Sequence, residues 1–148
     1  MQTNFRFRVL FSLAIIIIAS CSGSDNDNDP AEQNLIDSRA SIIGSWTFVY
    51  TETQCEEQYE FSADGSFSQT SLDEILAGSY SLSAVENDLI NLTLQPTQDN
   101  LGTDCLGSNE DSTIRDFNFI LSFPNESQMG WSRTSDPDLV IVTLDRRI

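Results

Sequence analysis

The sequence contains no lysine and no histidine, and its only cationic side chains are seven arginines. Without imidazole or a side-chain amine there is no Ser-His pair, no histidine base and no Schiff-base lysine, so catalysis would rest on carboxylates or tyrosines alone. Glu56 and Glu57 are adjacent and would point apart, so no enzyme is expected. So few cations also exclude nucleic acid, whose phosphates need neutralising, and docking on anionic lipid by charge. Cysteine is equally scarce, at positions 21, 55 and 105. With no histidine and no Cys-x-x-Cys spacing a zinc site lacks ligands. A calcium loop at Asp25, Asp27 and Asp29 fails because Pro30 replaces the turn glycine and Ile36 stands where the bidentate glutamate belongs. Neither a metal nor a cofactor is expected. Long apolar runs are missing too, since residues 9–18 fall short of the roughly 20 needed to span a bilayer.

Acid is what the chain has in excess. The 23 aspartates and glutamates give a formal net charge of −16, and all of them follow Cys21. Such acidity reads as solubility in a salty medium. Before Cys21, Arg6 and Arg8 precede the apolar run, and Ala19 and Ser20 lead into the cysteine, the pattern of a secretory signal peptide. Ile18-Ala19-Ser20-Cys21 resembles the lipobox of bacterial lipoproteins, which implies cleavage before Cys21 and acyl chains on its sulfur as the membrane anchor. Residues 22–30 hold no apolar side chain and are expected to be a disordered tether. Their acids resemble surface-export signals of lipoproteins in Bacteroidota, which implies an outer-membrane protein of the bacterial cell envelope, with its outer face as the further expectation. The expected organisation is a signal peptide over 1–20, lipidated cysteine and tether over 21–30, and one domain over 31–148. The domain is expected to be monomeric.

An acylated Cys21 leaves Cys55 and Cys105, an even pair in an exported protein that reads as a disulfide; two free thiols or half a metal site are the alternatives.

Residues 31–43 fit a short amphipathic helix ended by Gly44. Beyond it, period-two alternation predicts strands over 45–53, 57–62, 66–72, 78–84, 89–95, 114–123, 127–134 and 139–145. Turn chemistry separates them at Asp64-Gly65, Asp73-Glu74, Glu86-Asn87-Asp88, Pro124-Asn125 and Asp136-Pro137-Asp138. The aromatics share one parity in each strand, with mostly polar residues opposite, so one face is dry. Eight strands with short connections predict an antiparallel up-and-down β-barrel preceded by a short helix, with a two-sheet sandwich as the competitor. Connections in a meander alternate ends, so the loops near 54–56, 73–77, 96–113 and 135–138 share one rim. That rim would carry both Cys55 and Cys105, which a Greek-key sandwich would not guarantee.

Gly44-Ser45-Trp46, Cys55, the run from Tyr59 through Phe67 and Gly78-Ser79-Tyr80-Ser81-Leu82 resemble the small lipocalin-like lipoproteins of Bacteroidota, over roughly residues 42–145. The resemblance implies a barrel closed by the tryptophan of Gly-x-Trp beneath an arginine of the last strand, here Gly44 and Trp46 with Arg146 or Arg147. It also implies a small apolar ligand inside. Tyr50, Phe48, Tyr59, Phe61, Phe117, Phe119, Leu121, Met129 and Trp131 are the candidate pocket residues. Acids gathered at the disulfide rim would repel anions and favour a neutral or cationic ligand. The alternative is a cell-surface structural or protein-interaction domain whose rings fill the barrel.

Overall fold

The computed structural model describes residues 30–86 and 89–148. The signal segment, Cys21 and the tether up to residue 29 lie outside the described residues, as do positions 87 and 88 of one turn. Pro30 opens helix α1 (Pro30–Ile42), where a fixed φ and a missing N–H suit the first turn. Eight strands follow: β1 (Gly44–Val49), β2 (Glu56–Phe61), β3 (Ser66–Ser71), β4 (Glu74–Ala84), β5 (Ile90–Asp99), β6 (Phe117–Asn125), β7 (Gln128–Arg133) and β8 (Asp136–Arg146). Each pairs antiparallel with the next, and β8 returns to β1 through Trp46↔Arg146 and Thr47↔Asp145, closing an eight-stranded barrel.

Alternation explains the closure. In β2, Glu57, Tyr59 and Phe61 are buried while Glu56, Gln58 and Glu60 are exposed; in β5, Ile90, Leu92, Leu94 and Pro96 point inward. Curling the sheet brings these dry faces together and removes the free edges.

Strand limits differ from the sequence expectation where turn-forming residues are absorbed into ladders. Glu74 pairs with Ser71, so the β3–β4 connection is only Leu72-Asp73 rather than 73–77. Arg133 pairs with Asp136, and β8 runs through Asp136-Pro137-Asp138 instead of starting at 139. Pro137 is tolerated because the register shifts between Ser132 and Arg133 opposite it. Pro96 likewise sits at the β4–β5 irregularity, where Gly78 opposes it, so β5 extends to Asp99. At Gly78 a Cβ would meet the Gln95 carbonyl oxygen at 2.1 Å, so that approach requires glycine. Conversely, β1 stops at Val49 rather than 53, because Tyr50 N–H bonds the Cys55 carbonyl at 2.9 Å and closes a loop. The long connection therefore covers 100–116, with one turn of 3₁₀ helix at Ser112–Ile114.

The barrel is packed at the end where β1 begins and β8 finishes. Ile42, Trp46, Phe61, Leu92, Met129 and Leu144 are essentially inaccessible there, and α1 adds Leu35 from outside the strands.

Candidate functional site

The two barrel ends do different work. At the packed end Gly44 adopts φ 122°, in the region only glycine enters readily. A Cβ there would stand 3.1 Å from Arg146 Nη1. The bare backbone lets the Arg146 guanidinium lie 4.3 Å over the Trp46 ring. It donates there to the carbonyls of Ile43 at 3.0 Å, Ser41 at 2.6 Å and Glu126 at 2.9 Å. Trp46 Nε1 donates to the Ile42 carbonyl at 2.8 Å. One cation thus stacks on the plug and, with the indole, satisfies carbonyls left open at the C-terminus of α1. Arg147 does not join this arrangement: it turns outward to Gln58 Oε1 at 2.6 Å and to an exposed ion pair with Glu56.

Opposite, the connections 50–55, 72–73, 100–116 and 134–135 form the mouth. Cys55 and Cys105 are joined there by a disulfide with Cα atoms 5.6 Å apart. The long connection is stitched to the rim. Asp73 and Glu74 N–H donate to the Thr103 carbonyl, Asn100 bonds both the Asp73 carbonyl and the Ile75 N–H, and Ser112 N–H reaches Asp99 Oδ2. Gly102 makes this docking possible, since a Cβ would meet the Asp73 carbonyl oxygen at 2.1 Å.

Beneath that connection lies a cavity of about 340 Å³. Of the sequence-chosen pocket residues, Tyr50, Tyr59, Phe117, Phe119 and Trp131 line it. Phe61, Leu121 and Met129 do not: they belong to the packed core nearer the plug. Phe48 does not either, and packs edge-on against Tyr50 with centroids 4.8 Å apart. The misplacement is one of depth. Alternation says that a side chain faces inward but not at what height it sits, and the lower rings fill the barrel.

Trp131 is the centre of the aromatic wall, stacked on Phe119 at 4.7 Å and edge-to-face with Tyr59 at 4.9 Å. Higher up, Arg115 sits 5.1 Å over Phe117.

Two carboxylates share the cavity wall with these rings, Glu57 and Glu74, which the sequence shows as the neighbour of Glu56 and as part of the Asp73-Glu74 turn. Glu57 is 7% and Glu74 5% exposed. Parity carried the signal: Glu57 shares its face with Tyr59 and Phe61, and Glu74 with Leu76. Glu57 accepts from Tyr59 Oη at 2.8 Å, Ser71 Oγ at 2.9 Å and Tyr50 Oη at 3.3 Å. Among the described residues no donor reaches the Glu74 carboxyl. Burial first, and then the charges of Asp99, Asp104 and Glu57, push the Glu74 pKa from 4.5 up to about 7. Burial and Glu57 raise both phenols, Tyr50 to about 12 and Tyr59 well above its ordinary 10.0, so both remain protonated donors.

Trp131 Nε1 is the buried side-chain polar atom that lacks a hydrogen-bond partner among the described residues. No group of three or more carboxylates or thiols is placed to hold a metal ion among the described residues. No family model matches the chain, and no curated protein matches it.

Proposed function

We propose that this chain is a membrane-anchored, lipocalin-like lipoprotein of the bacterial envelope whose barrel binds one small apolar molecule, neutral or cationic. The observation that carries the reading is the cavity of about 340 Å³ at the disulfide end, a size within the ~300–1,000 Å³ of small-molecule sites. An aromatic wall with a few convergent polar groups is the lining such sites have. The acids of the mouth, Asp104 and Glu110 among them, disfavour anions such as fatty-acid carboxylates. Packing of the lower barrel gives the alternative, a filled structural or interaction domain, its support. That packing reaches up to Trp131, and the space above it favours the binder.

Anchoring rests on the lipobox-like run ending at Cys21. Because α1 leads into the plugged end, a tether on its N-terminal side supports a mouth turned away from the membrane, as expected for an outer-membrane lipoprotein.

Native mass spectrometry of the protein purified from its source tests the binding reading. A co-purifying small molecule at one per chain is expected, and an empty barrel in repeated preparations overturns it. Cys21→Ser should shift the protein from the membrane to the soluble fraction, and continued membrane association would refute the anchor.

A further inference from the structure

We propose that the cavity receives a small organic monoamine bearing an apolar ring, its ammonium held by Glu57 and Glu74 and its ring set against Trp131 and Phe119. The proposal rests on the ligand-binding reading above and narrows it to a chemical class.

Two features of the site ask for the parts of such a molecule. The first is uncompensated negative charge. Glu57 is held by three hydroxyls and by no cation, and Glu74 by nothing among the described residues. A buried carboxylate without a counter-charge is costly, and an ammonium relieves that cost for both. Arg115 is the basic residue on the cavity wall, and it is stacked on Phe117.

The second is the wall itself. Tyr59, Phe117, Phe119 and Trp131 line the same space, and aromatic rings attract organic cations through their quadrupole. This separates an amine from calcium, which takes six to eight oxygens; the described residues offer no cluster that would hold a metal.

The raised Glu74 pKa is consistent with this picture, since a bound cation favours its ionised form. The groups around it are Glu57 on β2, Asp99 at the end of β5, Asp104, Glu110 and Arg115 on the long connection, and the protonated phenols of Tyr50 and Tyr59. Amine binding should therefore weaken as the pH falls from 8 towards 5.5 and Glu74 takes up its proton.

The test is calorimetric titration with three probes: 4-methoxyphenethylamine, its neutral isostere 4-propylanisole and the anion 3-(4-methoxyphenyl)propionate. At pH 8 the methoxy amine should bind at least about tenfold more tightly than the neutral isostere, with the anion weakest. Glu74→Gln, which keeps shape and removes charge, should abolish most of that preference. Equal binding of amine and neutral isostere, or an undiminished preference in Glu74→Gln, overturns the amine assignment while the ligand-binding reading stands. If none of the probes binds but the native protein carries a co-purified molecule, the amine assignment again falls alone. If none binds and the native barrel is empty, both fall.

Discussion

Replacing Glu74 by Gln should stabilise the protein, and should do so only at neutral and alkaline pH. Glu74 is 5% exposed, and its pKa is pushed from 4.5 to about 7, by burial first and then by Asp99, Asp104 and Glu57. A carboxyl whose pKa is raised by folding binds its proton more tightly in the native state than in the unfolded one. Its contribution to stability therefore falls as pH rises from 4.5 through 7, and the full penalty is present above that window. A shift of that size corresponds to about 3 kcal/mol. Water at the open mouth screens part of it, leaving roughly 1–2 kcal/mol. Urea unfolding of wild type and Glu74→Gln at pH 5 and pH 8 reads the effect directly. The variant should be more stable by roughly 1–2 kcal/mol at pH 8, on the order of 5 °C in Tm, and the gap should shrink to a few tenths of a kcal/mol at pH 5. A Glu74→Gln protein that is less stable at pH 8, or whose difference from wild type is the same at both pH values, would refute the reasoning.

Further substitutions probe the frame around the cavity. Replacing both Cys55 and Cys105 by Ser opens a loop whose ends are 50 residues apart and should cost about 4 kcal/mol in denaturant unfolding; a loss below 1 kcal/mol would mean the unfolded chain gains little freedom from it. Arg146→Ala removes three donors to backbone carbonyls and the stack on Trp46, so it should cost about 2–4 kcal/mol, with Arg146→Lys recovering little. Arg147→Ala, whose partners are solvent-exposed, should stay within about 0.5 kcal/mol, and equal effects at the two positions would contradict the plug geometry. Ser71→Ala leaves the Cys105 N–H without its acceptor and Glu57 Oε1 with only the longer bond from Tyr50, and should cost about 1–3 kcal/mol, measured by thermal unfolding; a neutral outcome would show that water replaces the hydroxyl.

The barrel was legible because one rule, alternation, runs through all eight strands, and because Cys55 and Cys105 fall in connections that only a meander brings to one rim. The disulfide then follows from topology as much as from cysteine arithmetic. Strand ends were less legible, and for a local reason. Asp73-Glu74 and Asp136-Pro137-Asp138 carry turn chemistry, but ladder pairing with Ser71 and Arg133 draws Glu74 and Asp136 into the sheet. Tertiary pairing overrides a local preference of that size. The cavity was the least legible part. Phe61 and Trp131 are both inward aromatics of the core cluster, yet of the two only Trp131 also borders the cavity, because depth along the barrel axis depends on register and tilt. The acids Glu57 and Glu74 were hidden by their residue type. Charge suggested a solvated rim, although parity placed them with Tyr59 and Leu76.

The same contacts that hold the mouth together also place its acids. Cys105, fixed by the disulfide, donates its N–H to Ser71 Oγ at 2.9 Å, and that hydroxyl donates onward to Glu57 at 2.9 Å. Two residues earlier, the Thr103 carbonyl accepts the N–H of Glu74 at 3.2 Å. Both buried carboxylates are therefore positioned through the segment that the disulfide immobilises, one by a side-chain relay and one through its backbone. Residues 106–111 are different: the hydrogen bonds of Leu106, Gly107, Ser108 and Glu110 run to Asp104 or within the segment itself, while Ser112 ties the chain back to Asp99. Leu106, Ser108 and Glu110 border the cavity, so within the long connection the part with fewest bonds to the strands is the part that covers the space. Anchoring the acids while leaving their cover loosely held keeps the charge in place and concentrates the freedom to move where a ligand would have to pass.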